Sequence, residues 1–216
     1  PYSCPVWAEL AVEAVRRNDL LGAVAIVIMV EAYLRPKELL SLRCGSFLAP
    51  SRMGVGSWLV HLFPQRELPR SKTGEADDTI PLNSGRTPWL GSVLEILAKK
   101  PAHQSAFGYD YPSFYSLIRN CAATLNVPVV PYQGRHSGAS LDYAHSVRSI
   151  EEIRRHGRWK MIKSATRYEK RGRLNASWQR LSWTQKTYME SCALNLEKVV
   201  LYGDFSGLAP NMITRS

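Results

Sequence analysis

Between Leu20 and Val30 the chain carries eleven consecutive residues with no charged or hydrogen-bonding side chain. A helix that crosses a bilayer needs about 20 such residues, so this run is too short to span a membrane. A segment apolar on every side must instead be wrapped by the rest of a folded domain. The chain has 216 residues, enough to bury a sizeable core as one domain or as a domain with an appendage. The expectation is a buried helix from Leu20 to Ala32, with the other elements packed around it.

Periodicity supplies those elements. Val6, Leu10 and Ala14 share one face of a helix running to about Asn18. Pro36, suited to a first helical turn, opens a helix through Leu42 with Arg35 at its mouth. Gly54 and Gly56 break the helical pattern. Strands are expected at Trp58 to Phe63, Leu68 to Ser71 and Thr79 to Leu82, with Lys72-Thr73-Gly74 as a turn. Helices resume at Trp89 to Lys99, at Tyr111 to Asn126 and after Arg135 to about Tyr143. Ser149 with Glu152 forms a capping box for a helix to about Arg155. Lys160 to Tyr168 reads as a short helix or turn, and Trp178 to about Leu196 as a longer helix. The predicted class is mainly α with a small antiparallel sheet, an α+β fold. Residues 1–190 are expected to form one domain and 191–216 a tail, loose or exchanged between subunits.

The charge points to a polyanion. Lys and Arg number 28 against 18 Asp and Glu, a formal net charge of +10, and nucleic acid is the commonest partner of so basic a chain. From Arg148 to Arg180 there are eleven Lys or Arg against three acidic residues. In this stretch Arg148, Arg154, Arg155, Arg158, Lys163 and Arg167 are candidates for phosphate contact, which confers affinity without sequence information. Cys4, Cys44, Cys121 and Cys192 lack zinc-site spacing and read as reduced thiols of an intracellular protein. The five histidines are scattered, so a metal enzyme is disfavoured and no cofactor is expected. The opening Pro1, without a methionine, suggests a fragment or a processed chain.

Several residues suit metal-free cleavage of a phosphodiester. Its transition state gathers negative charge on the non-bridging oxygens, which the planar forks of two arginines match. Arg35 and Arg135 open two predicted helices, whose N-termini add a favourable dipole. A lysine on a hairpin, Lys72, is placed to protonate a leaving oxygen. Tyr168 stands beside Arg167 and Lys170-Arg171, whose charge favours the ionised phenol of a nucleophile.

Arg35, Lys72, Arg135, Trp159 and Tyr168, in that order, resemble the catalytic set of the tyrosine recombinases, the phage-integrase-like family. The first arginine motif is matched by Tyr33-Leu34-Arg35-Pro36-Lys37-Glu38-Leu39, the hairpin lysine by Ser71-Lys72-Thr73-Gly74, and the second by Tyr132-Gln133-Gly134-Arg135-His136. Trp159 stands nine residues before Tyr168, the family's spacing for the histidine or tryptophan donor; His156, twelve before, is the second choice. The Gly157-Arg158-Trp159 form is similar to that of Crypton-like and DIRS-like mobile elements. The match covers roughly Trp7 to Ser191.

The resemblance implies the integrase catalytic fold without the DNA-clamping domain that usually precedes it. Tyr168 would attack the scissile phosphate to give a 3′-phosphotyrosyl link, later resealed by a partner strand's 5′-hydroxyl. Arg35 and Arg135 would clamp the phosphate, Trp159 would donate its indole N–H, and Lys72 would be the general acid. Glu38 would orient Arg35 from behind, or sit as a surface carboxylate. Double-stranded DNA and a homotetramer assembled on it are the implied partners. Tyr132 occupies a position where the family usually has histidine. Tyr132 can replace it as a hydrogen-bond donor, His136 can move in, or activity is weakened. Two other readings stay open: a DNA-binding module with a decayed site, and a relaxing enzyme like the type IB topoisomerases.

Overall fold

A computed structural model describes residues 4–51, 56–62, 79–83, 85–166 and 172–210. It is mainly helical with a small three-stranded antiparallel sheet, in accord with the expected class. Lys72, Arg167, Tyr168 and the strand expected at Leu68 to Ser71 lie outside the described residues.

The apolar run is the helix α2 (Leu20–Glu31), buried from Gly22 to Glu31. Asp19 starts it by accepting the Gly22 N–H at 2.9 Å, supplying one of the partners a first helical turn lacks. Around it lie α1 (Cys4–Arg16), α3 (Pro36–Ser41), α4 (Leu90–Ala98), α5 (Tyr111–Ala123), α6 (Tyr132–Ala144) and α7 (Ile150–His156). They are followed by α8 (Ile162–Ala165), α9 (Gly172–Gln179) and α10 (Trp183–Tyr202). α6 crosses α2 so closely that a Cβ on Gly138 would stand 2.0 Å from the Val30 carbonyl oxygen. Only glycine permits that approach. Among the described residues, no helix is long and apolar enough to cross a membrane.

Strands β1 (Phe47–Leu48), β2 (Leu59–His61) and β3 (Thr79–Pro81) pair antiparallel with β2 in the middle, Phe47 opposite Val60 and Val60 opposite Ile80. Phe47, Val60 and Ile80 thus share the face turned to the core, where all three are buried. Pro81 sits in an edge strand, where its missing N–H costs no ladder bond.

Two helix boundaries differ from the sequence expectation. α6 begins at Tyr132 rather than after Arg135, so Arg135 lies inside its first turns. The helix expected from Trp178 is two: Ser182 caps α10 by accepting the Gln185 N–H at 3.2 Å, and the chain bends there. α10 then runs on to Tyr202. Its face of Tyr188, Met189, Cys192, Leu196, Val199 and Val200 is buried, and the helix packs on α1 and α2 of its own chain.

Candidate functional site

At the mouth of α3, Glu38 gathers Arg35, three residues before it, and two arginines from distant parts of the sequence. Its Oε2 accepts the Arg35 backbone N–H at 2.7 Å, closing the first turn of α3, while Oε1 accepts Arg35 Nη1 at 2.6 Å. The same Oε2 accepts Arg158 Nη2 at 2.6 Å and lies 3.7 Å from Arg135 Nη1. One carboxylate thus serves three guanidinium groups, leaving a net charge of about +2 in a half-enclosed space. Burial opposes ionisation of Glu38, but Arg158, the Arg35 N–H, Arg135 and the Arg35 side chain outweigh it and hold the carboxyl below its ordinary range. Glu38 is therefore engaged within the cluster and is not a free surface carboxylate.

Arg135 is wholly enclosed. Its Nη1 donates to the Tyr33 carbonyl at 2.5 Å and its Nη2 to the Gly157 carbonyl, tying α6 to the end of α2 and to the corner after α7. Its Nε is buried and has no hydrogen-bond partner among the described residues. An enclosed, unmatched donor beside surplus positive charge favours an anion. Burial, with Arg158 and Arg35 nearby and Glu38 opposing, lowers the Arg135 pKa to about 10, so the group stays charged at neutral pH. Arg35 by contrast is exposed, its side chain 44% accessible.

Trp159 lies over this guanidinium, with the Arg135 carbon 4.6 Å from its ring centroid. The ring also lies flat on Gly157, where a Cβ would come within 1.9 Å of Cζ3. Arg154 holds the Trp159 backbone from the other side: its carbonyl accepts the Trp159 N–H at 3.0 Å, and its Nη1 donates to the Trp159 carbonyl at 3.0 Å. Between Gly157 and Trp159, Arg158 takes the left-handed backbone conformation, φ 53°. Such a conformation costs about 1–3 kcal/mol in a non-glycine residue and needs support from surrounding contacts. Its Nη2 on Glu38 and Nη1 on the His156 carbonyl, at 3.2 Å, supply it.

A second buried layer lies behind the first. Asp142 accepts the Tyr33 hydroxyl and guanidinium hydrogens from Arg86 and Arg148, and Arg86 also donates to Glu31 at 2.9 Å. Tyr33 itself has φ 47°, and its carbonyl is the one that anchors Arg135. Burial and the Asp142 charge push the Tyr33 phenol far above its usual range, so it remains a neutral donor. His156 packs edge-on against Tyr33 at 4.5 Å between centroids, its Nε2 2.9 Å from the Glu31 carbonyl oxygen. Burial and the Arg148 charge lower its pKa to about 3. That keeps the ring neutral at pH 7, and its Nε2 donates to the carbonyl. His156 is spoken for, whereas Trp159 sits at the arginines.

Arg35, Glu38, Arg135 and Trp159 come together, with Arg158 added to them. Tyr132 stands at the start of α6, three residues before Arg135; it is exposed, its ring edge-on to His136 at 4.9 Å. Of the residues expected to contact phosphate, Arg148 is buried on Asp142 and Asn83, because Asp142 needs a cation there. Arg154 is held by both oxygens of Glu151 at 2.9 Å. Arg155 and Lys163 are exposed. Sequence reasoning missed Arg86, Asp142 and the buried role of Arg148. Nothing in their linear spacing marks them, since their partners lie on three separate elements.

Comparison with protein-family models, with curated proteins and with solved structures gives no match.

Proposed function

We propose that this chain breaks and rejoins DNA through a 3′-phosphotyrosyl link, as the catalytic domain of a tyrosine-recombinase-like enzyme of a mobile element. The observation that supports the reading is the meeting of Arg35 and Arg135, 100 residues apart in sequence, on a single carboxylate beside Trp159. A phosphodiester arriving at Arg35 meets surplus positive charge, with the enclosed Arg135 and its Nε, unpartnered among the described residues, behind it. Arg35 is the exposed arm that meets the phosphate first. Arg135, locked to two carbonyls, stabilises charge with little reorganisation as the tyrosine oxygen attacks. The roles of Tyr168 as nucleophile and Lys72 as general acid carry over from the sequence motifs. Double-stranded DNA is the substrate and an assembly of four copies the working unit.

The test is trapping of the covalent intermediate. The protein is incubated with nicked duplexes of randomised sequence, so that no target site need be known, and denatured in detergent. A DNA-linked band that Tyr168→Phe abolishes and Arg135→Ala reduces by at least about a hundredfold is expected. A band that survives Tyr168→Phe refutes the nucleophile. Relaxation of plasmids by single copies would instead align the chemistry with type IB topoisomerases.

A second reading has its own observations. Arg135 is fully covered, and Tyr132 replaces a proton-transferring histidine. A DNA-binding module with a decayed site fits both. It predicts salt-sensitive binding that Arg135→Ala weakens, with no covalent band under any condition.

A further inference from the structure

We infer that Arg158 is a positioning residue of the candidate site: by pairing with Glu38 it holds Trp159 over Arg135 and keeps the Glu38 carboxylate from closing on Arg135. The inference rests on the strand-cleaving reading for its catalytic consequence and on the structure alone for its geometry.

Arg158 and Glu38 lie 120 residues apart and join the corner after α7 to the first turn of α3. Both are largely withdrawn from solvent, with side chains 9% and 12% accessible. The pair is thus an enclosed charge-assisted bond, stronger than one at a free surface. Both ends of the Arg158 fork are taken up by the protein, Nη2 by Glu38 and Nη1 by the His156 carbonyl. A residue placed to grip DNA directly would keep that fork turned outward.

Two consequences follow. Arg158 occupies the Glu38 oxygen nearest Arg135, so Arg135 stays 3.7 Å from it, beyond a hydrogen bond. Without Arg158 that oxygen still holds the Arg35 N–H but loses the cation that draws it from Arg135 Nη1, and it can close on Arg135 in competition with a phosphate. The left-handed conformation of Arg158 also sets the chain direction into Trp159, its immediate neighbour. Releasing the guanidinium removes a contact that supports that conformation, and the indole is then free to leave Arg135.

The experiment compares Arg158→Lys, Arg158→Gln and Glu38→Gln in the full chain, with circular dichroism to establish folding. The first readout is the rate of covalent band formation on the randomised nicked duplexes at saturating DNA, set against the DNA concentration for half-saturation. The expected result is a rate lowered by roughly tenfold to a hundredfold, as for other residues that orient a reactive group from behind, with half-saturation nearly unchanged. Lysine should not rescue, because it lacks the planar fork that reaches Glu38 and the carbonyl together. The second readout is emission from Trp159, isolated by difference from Trp159→Phe. Arg158→Gln should shift it to longer wavelength and open it to acrylamide.

Full activity in Arg158→Lys, with weaker half-saturation and a shallower salt dependence in Arg158→Gln, would make Arg158 a plain phosphate contact and overturn the inference. Unchanged Trp159 emission in Arg158→Gln would overturn it as well. If the wild-type chain forms no band, the strand-cleaving reading fails by itself, and the Trp159 emission still decides the positioning role.

Discussion

Glu9 provides a quantitative test of how this core is built. It sits mid-way along α1 and is fully buried, with Oε1 accepting the Thr124 hydroxyl at 2.9 Å and Oε2 without a partner among the described residues. Burial, opposed by the Thr124 bond and added to by Glu13, pushes its pKa from 4.5 up to about 8. The folded protein therefore keeps a proton on Glu9 where the unfolded chain has lost it. Stability from this group is fully present below about pH 4.5 and is lost as pH rises through about 8. At about 1.36 kcal/mol per pH unit, the gap from 4.5 to about 8 corresponds to roughly 5 kcal/mol. Against a typical total of about 5–15 kcal/mol, that is large.

His156 titrates with the opposite sign and is half titrated in the unfolded chain at about pH 6.5, so above that it adds back only about 0.4 kcal/mol. From about pH 6.5 to about pH 8 Glu9 alone costs about 1.6 kcal/mol, so the wild-type chain should lose about 1.2 kcal/mol net, measured by denaturant unfolding at several pH values. Glu9→Gln retains an acceptor for Thr124 and cannot ionise, so its stability should not fall across the same range but rise by about 0.4 kcal/mol. If both chains decline in parallel, Glu9 is ionised in the fold and the reasoning is wrong.

Three further outcomes are expected. Below about pH 6.5 the buried His156 must charge, so stability should fall as pH drops toward 3; in a Glu9→Gln background the loss from about pH 6.5 to about 4.5 should be about 2 kcal/mol and absent in His156→Asn. Asp142→Asn leaves Arg86 and Arg148 short of a buried anion and should cost about 3–5 kcal/mol. A thermal midpoint within about 2 °C of wild type would show that the network contributes little. Gly157→Ala has no backbone penalty, since φ is −81°, yet its Cβ would meet the Trp159 ring at 1.9 Å. It should cost about 2–4 kcal/mol from overpacking and the lost stack on Arg135; a loss below about 0.5 kcal/mol would mean the indole is not seated there.

The helices were legible because their signals are local. The apolar run of α2, the Ser149–Glu152 box of α7 and the proline opening α3 each act within one or two turns. β1 was missed because two residues carry no alternation to read, and its existence depends on Val60 and Leu59 arriving opposite it. The bend at Ser182 has a local cap that the sequence reading overlooked.

The candidate site divides differently. Arg35, Arg135 and Trp159 stand out in the sequence because each occupies a motif with its own neighbours. Which charges are buried and which exposed does not follow from the composition. Arg148, Arg155 and Lys163 belong to one basic stretch, yet Arg148 is enclosed because Asp142, on α6, sits where the α2 end and the loop after β3 converge. Arg158 likewise reads as one more surface cation until α3 brings Glu38 to it. The amino-acid sequence by itself determined the helices, the buried α2 and the order of the reactive residues, because those depend on interactions a few residues long. Only the tertiary structure decided which arginine faces a carboxylate, a carbonyl or solvent, because the desolvation that sets the energy of a charge arises from elements that are distant in the chain.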